Sequence, residues 1–134
     1  MKDACREIAR DCLALQARRL ERTLTRIYDH ALADVGVTGS QLSLLVALAL
    51  LGETTAARLG AELDLEKSTV SRNVARLAEA GLVDTRGGLR LTPRANDVIR
   101  AGHKAWRSAQ RQARAELGAT PLKLLESLSK EARS

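Results

Sequence analysis

"LDLEKSTVSRNVARLAEAGLV", Leu63 to Val83, is the stretch on which the reading of this chain turns. At about 100° per residue, Val70, Val74 and Leu77 fall within one narrow arc, while Ser68, Arg72, Ala75 and Glu79 lie opposite. The spacing predicts an amphipathic helix closed by Gly81. Its outward arc is polar and small at the N-terminal half, where Lys67, Ser68, Thr69, Ser71 and Arg72 crowd together, and it turns to Ala and Glu further on. Short hydrogen-bonding side chains let a helix approach a DNA major groove closely. Arginine matches guanine edges or phosphate, and the positive end of the helix dipole favours phosphate. The plainer reading of the same residues is a solvated helix face, so the flanking sequence has to decide.

Upstream, "TAARLGAELDLEKSTVSR" (Thr55 to Arg72) joins a short helix, capped by Thr54 or Thr55, to this one through a brief turn, the spacing of a helix-turn-helix. Downstream, "LVDTRGGLRLT" (Leu82 to Thr92) places two short alternating runs around Gly87-Gly88, a dipeptide that tolerates the positive φ of a tight turn. This predicts a β-hairpin, a wing whose cations are Arg86 and Arg90. A helix-turn-helix followed by a wing is far more specific than either part, and it tips the reading towards nucleic acid.

Working outward, Leu13, Ala17, Leu20, Leu24, Ile27, Ala31 and Val35 recur at steps of three and four, drawing one apolar stripe, close to a coiled-coil seam, on a long helix that Gly36 ends. Thr38 and Gln41 form a capping box for an uncharged run to Gly52, expected to be a helix buried on all sides. Thr92-Pro93 opens a long helix to Leu117 with Gly118 as its stop, and Thr120-Pro121 repeats the start signal for a last helix ending near Ala132. The expected fold class is mainly α with a small β-hairpin wing, an α+β winged helix-turn-helix.

At 134 residues there is room for one domain. With 23 Leu, 22 Ala, no Phe, one Tyr and one Trp, its core should be helical and aliphatic. The net charge of +6 would draw the protein towards a polyanion, but residues 53–94 carry 7 basic against 6 acidic side chains, and the surplus lies in residues 95–134, with 8 against 4. Arg100, Lys104, Arg107, Arg111 and Arg114 make a basic stripe there, read as a solvated face. No apolar run approaches the ~20 residues needed to span a bilayer, and no signal peptide is seen, so no membrane and a cytoplasmic location are expected. Gly-rich phosphate loops, metal-ligand spacings and nucleophile–base pairs are absent from the sequence, so neither an enzyme nor a cofactor is expected. His30 and His103 read as surface or junction residues.

"RRLERTLTRIYDHAL", "VTGSQLSLLVAL", "STVSRNVARLAEAGLV" and "RLTPRA", taken in order, resemble the multiple-antibiotic-resistance regulator (MarR) family of winged helix-turn-helix transcription factors, over nearly the whole chain. The resemblance implies a homodimer whose first and last helices intertwine and whose winged lobes straddle a pseudo-palindromic operator. It also implies loss of DNA affinity on binding a small aromatic or anionic effector, or on cysteine oxidation. The wing departs from the family pattern: Asp84 and Arg86 echo an Asp-x-Arg motif whose Arg reaches the minor groove, but the loop is cut to Gly87-Gly88. Ala95 also stands where the family usually has Gly.

On this reading residues 1–36 and 118–134 are dimerisation helices, 37–94 the winged lobe and 95–117 the long connecting helix. Leu13, Leu20, Leu24, Leu124, Leu125 and Leu128 are the side chains a second copy would bury, each contributing ~1.5 to 3 kcal/mol. The DNA-binding candidates are Lys67, Ser68, Thr69, Ser71, Arg72, Arg76, Arg86 and Arg90. Cys12 and Cys5 are the candidate redox sensors; on a continuous helix they share a face two turns apart, and inert thiols are the plainer alternative. Tyr28, Arg22, Arg26 and Trp106 are the candidate ligand cleft, with core filling the plainer role for Trp106. The expected function is a sequence-specific regulator, a repressor acting as a homodimer on double-stranded DNA. The alternative is a protein-interaction adaptor that keeps the fold without binding DNA.

Overall fold

The computed structural model describes residues 1–133. In chain order the elements are α1 (Lys2–Asp11), α2 (Leu13–Leu32) with a 3-10 turn (Ala33–Val35), α3 (Gly39–Leu51), α4 (Ala56–Leu63), α5 (Lys67–Glu79), β1 (Val83–Asp84), β2 (Arg90–Leu91), α6 (Pro93–Leu117) and α7 (Ala119–Arg133). This is the winged helix-turn-helix that the sequence predicts, with the two strands antiparallel in the register Val83 to Leu91 and Asp84 to Arg90.

The boundaries follow from local chemistry. Gly36 takes the left-handed conformation (φ 87°) and stops the end of α2. Thr38 and Gln41 form the capping box of α3, the Gln41 N–H donating to Thr38 Oγ1 and the Thr38 N–H to Gln41 Oε1, both at 3.1 Å. Thr55, rather than Thr54, caps α4 by accepting from the Arg58 N–H at 3.2 Å. The turn into α5 is tight: Asp64 adopts φ 53°, and the Leu65 N–H returns to the Gly60 carbonyl at 2.9 Å. A Cβ on Gly60 would lie 2.9 Å from the Leu65 carbonyl oxygen, so the turn requires glycine there.

The core of the winged lobe gathers Leu32, Leu44, Leu45, Leu48, Leu59, Val70 and Leu77, all fully buried. At ~1.5 to 3 kcal/mol for each large side chain, this cluster fixes α5 against α3 and α4. A second, smaller cluster joins α2 to α6 through Ile27, Ala109 and Ala113, with Leu24, Tyr28 and Ala31 against it. The two alanines let the helix backbones come close.

Three expectations change. Cys12 has extended backbone (φ −65°, ψ 111°) and divides the N-terminal region into α1 and α2, so Cys5 and Cys12 do not share one continuous helix. Because α1 buries none of its residues, no packing holds the two in line. Second, α3 is not buried on all sides: Val46 is 39% and Leu50 82% exposed. Third, α7 begins at Ala119, so Pro121 sits in its first turn, where its missing N–H has no intrahelical partner to lose. Leu13, Leu124, Leu125 and Leu128 are exposed in the single chain. Among the described residues no single helix is long and apolar enough to cross a membrane.

Candidate nucleic-acid interface

Helix α5 buries Val70, Val74 and Leu77 and turns the other face outward. Lys67, Ser68, Ser71, Arg72 and Arg76 are exposed and Thr69 is half-buried, so the polar edge is brought together on one open surface. Arg72 Nη2 lies 3.4 Å from Thr69 Oγ1, a long contact that leaves most of the guanidinium's donors available. The first turn carries no acidic residue, and the N-cap residue Glu66 makes no side-chain cap bond. The leading N–H groups of α5 therefore have no side-chain cap and stay open to an incoming oxygen, with the charge of Lys67 set against that of the neighbouring Glu66.

The wing is built differently from a two-residue turn. Its strands are joined by the five residues Thr85 to Leu89, as the register from Asp84 to Arg90 requires. Gly87 takes φ 76° at the tip. Leu89 also pairs with Thr54: the Thr54 N–H donates to the Leu89 carbonyl at 3.0 Å and the Leu89 N–H to the Thr54 carbonyl at 2.8 Å. The segment between α3 and α4 thereby lends the hairpin a third partner.

Both wing arginines are paired, to different degrees. Arg86 contacts Asp84 through Nε at 3.1 Å and Nη2 at 3.3 Å, yet its side chain is 89% exposed. Hydrogen bonds from the Arg86 guanidinium and from its backbone N–H hold the Asp84 carboxyl well below the ordinary carboxylate range. Arg90 is more enclosed, at 41% exposure, and is held by Glu53, Asp84 and the Arg86 carbonyl. Sequence reading grouped these two cations as equals, and the structure separates them. It also missed Glu53 and the anchoring role of Asp84. The signal available for the first was a lone carboxylate directly after the Gly52 that ends α3.

The four residues expected to form one ligand cleft do not converge. Tyr28 and Trp106 line a shared cavity of about 360 Å³ with Leu42, Leu63 and Leu65. Arg22 and Arg26 line a separate surface groove on α2 with Arg18 and His30. The reason is angular: positions 22 and 26 lie one stripe round the helix from Glu21, Thr25 and Asp29, which border both hollows. Trp106 is not core filling; it is 39% exposed and stacks on His103 with ring centroids 6.1 Å apart. Burial pushes the Tyr28 phenol up, and its hydroxyl pairs with Gln110 Oε1. A larger apolar hollow of about 680 Å³ runs on from Trp106 between α3 and α6, past Val46, Leu50 and Ile99. Cys5 is exposed on α1, Cys12 is half-buried at the break, and both are free thiols.

Residues 35–88 match the model of the MarR family. That span contains α3, α4, α5 and the first half of the wing. The transcriptional regulator MosR of M. tuberculosis is 28% identical, the match covering 92% of this chain and 96% of that one, with a TM-score of 0.79. A second structure of M. tuberculosis MosR, in complex with DNA, is 26% identical over 92% of this chain and 98% of the other, with a TM-score of 0.76. The transcriptional repressor CouR bound to p-coumaroyl-CoA shares the fold at a TM-score of 0.80, with 20% identity and 96% of each chain covered. No curated protein matches the chain. With the helix-turn-helix, the wing and both buried clusters in place, the chain carries a MarR-family match over its helix-turn-helix and half of its wing, and shares over nearly its whole length the fold of the transcriptional regulator MosR.

Proposed function

We propose that the protein is a homodimeric, sequence-specific repressor that reads a pseudo-palindromic operator with the first turns of α5. The observation that carries this reading is the open edge from Lys67 to Arg72, polar and cationic on a helix whose other face is packed into the lobe. Ser68, Thr69, Ser71 and Arg72 face the base edges in this reading, and Lys67 and Arg76 face phosphate. Two copies place two such edges about one duplex turn apart. The leucines left bare on α2 and α7 supply the apolar surface for pairing. MosR's complex with DNA supports the reading by analogy of fold and sequence.

The cavity of Tyr28 and Trp106 is the proposed effector site. It suits a small uncharged aromatic molecule, because Leu24, Leu42, Leu63 and Leu65 line it while the charged groups on its wall are the carboxylates of Glu21 and Asp29. CouR's CoA thioester supports an effector in this fold. Uncharged phenolic compounds should raise the melting temperature of the wild type and not of a variant in which Trp106 is replaced by Ala; an unmoved wild-type transition counts against the site.

The deciding experiment is genomic footprinting of the purified protein, followed by a salt titration on the fragment recovered. A regulator with Z phosphate contacts gives log affinity falling against log salt with a slope of about −0.9Z. No binding at low salt would leave the adaptor reading in its place.

A further inference from the structure

We infer that Arg90 is a positioning residue, which Glu53 locks at the base of the shortened wing, so that Arg86 alone of the hairpin's two cations is presented to DNA. The inference rests on the DNA-binding reading above and concerns how the wing serves it. All three guanidinium nitrogens of Arg90 are engaged. Nη1 donates to Glu53 Oε2 at 2.9 Å, Nε to Asp84 Oδ2 at 3.4 Å, and Nη2 to the Arg86 carbonyl. These contacts leave Arg90 one free N–H on each Nη, and to turn its whole fork onto a phosphate it would have to leave two carboxylates and a carbonyl.

A second observation places Glu53 in the same device. A Cβ on Gly88 would lie 2.7 Å from Glu53 Oε1 and 2.9 Å from its Cγ, so the Glu53 side chain lies directly across the backbone of the loop. Just beside it, the paired hydrogen bonds between Thr54 and Leu89 fix the loop's return strand. A carboxylate from outside the hairpin thus clasps the loop at Gly88 and at Arg90. The fork geometry of arginine suits this, since its planar donors reach three acceptors at fixed angles and a lysine reaches them only as a point charge. Glu53, Asp84, Arg86 and Arg90 together are electrically neutral, so the base of the wing contributes geometry more than attraction. Arg86, 89% exposed, stands above it with its direction set by Asp84.

The test uses the full-length protein with Glu53→Gln, Arg90→Lys, Arg86→Ala and the pair Glu53→Gln with Arg86→Ala. In the free protein, exchange of the Leu89 amide is measured. Affinity for a mixed-sequence duplex of about 30 base pairs is then followed against salt. The lock predicts that Glu53→Gln and Arg90→Lys each speed Leu89 exchange by about two- to fivefold, the fold-change of one lost partly exposed ion pair. Both variants should weaken duplex binding, and Arg86→Ala should cost less on the Glu53→Gln background than in the wild type. A phosphate contact by Arg90 predicts the reverse: Glu53→Gln binds tighter because a carboxylate is gone, and Arg90→Lys keeps both affinity and salt slope. Tighter binding by Glu53→Gln, or unchanged Leu89 exchange in both variants, overturns the inference. Faster exchange in a protein whose wild type shows no salt-dependent duplex binding would retire the DNA reading and leave the clasp standing.

Discussion

Gly60 shows how much a single position settles. Helix propensity alone favours alanine over glycine by roughly 1 kcal/mol. Here, however, a methyl group would meet the Leu65 carbonyl at 2.9 Å, and that atom belongs to the turn whose N–H closes back on Gly60 itself. Overpacking costs about 1 to 3 kcal/mol, and a backbone atom yields less readily than a side chain. Gly60→Ala should therefore lower the urea midpoint, with a net loss of about 1 kcal/mol; a raised midpoint would show that the turn relaxes freely. Asp84 makes a second prediction. Its pKa in the folded state is depressed by hydrogen bonds from Arg86, so the stabilisation it lends the wing is present above the ordinary carboxylate pKa and is lost as pH falls through that range. The Leu89 amide should exchange faster, after correction for intrinsic rates, as pH drops from about 5 towards 2, and Asp84→Asn should reduce that pH dependence. Neither residue's role was fully written in the sequence. Gly60 reads as a turn signal, but the Leu65 carbonyl above it does not, and the Arg90 partner Glu53 lies 37 positions away.

Among the elements, α5 was the most legible, because its apolar arc and its polar arc differ in both size and chemistry and a period of 3.6 separates them cleanly. The hairpin was legible from Gly87-Gly88, although its loop of five residues was not, since the alternation on either side is compatible with more than one register. Helix α3 hid its bare side for the opposite reason: a run apolar all round carries no phase, so nothing in it marks Val46 and Leu50 as the exposed pair. The candidate site inherits this pattern. Its recognition edge could be read from one helix, whereas the division of Tyr28 and Trp106 from Arg22 and Arg26 depends on how α2 rolls against α6. For α5 the expected outcome of Arg72→Ala is a loss of about 1 to 3 kcal/mol in operator binding together with relaxed preference at the base it reads. Equal losses on operator and random duplex, with a shallower salt slope, would make Arg72 a phosphate contact instead.

At the scale of the molecule, the exposed leucines of α7 set the strongest expectation. Leu124 and Leu128 are each 61% exposed in the single chain, on a helix that packs along α6. If a second copy covers them, replacing both by Glu removes at least ~3 kcal/mol of apolar burial, which weakens association by about a hundredfold or more. Sedimentation should then show the variant as a single chain at concentrations where the wild type is paired. A wild type that sediments as one chain throughout would remove the dimer from the account. The connection from α2 to α6 matters on this view because both helices serve the stalk and the lobe, so any change in their packing moves the two recognition edges relative to each other.

The chain's sole tryptophan stands on the wall common to the apolar hollows on either side of it, partly wet and stacked on an imidazole. Its emission is thus a built-in optical gauge that needs no label: filling either hollow dries the indole and shifts its fluorescence to the blue, with no other indole to confuse the signal.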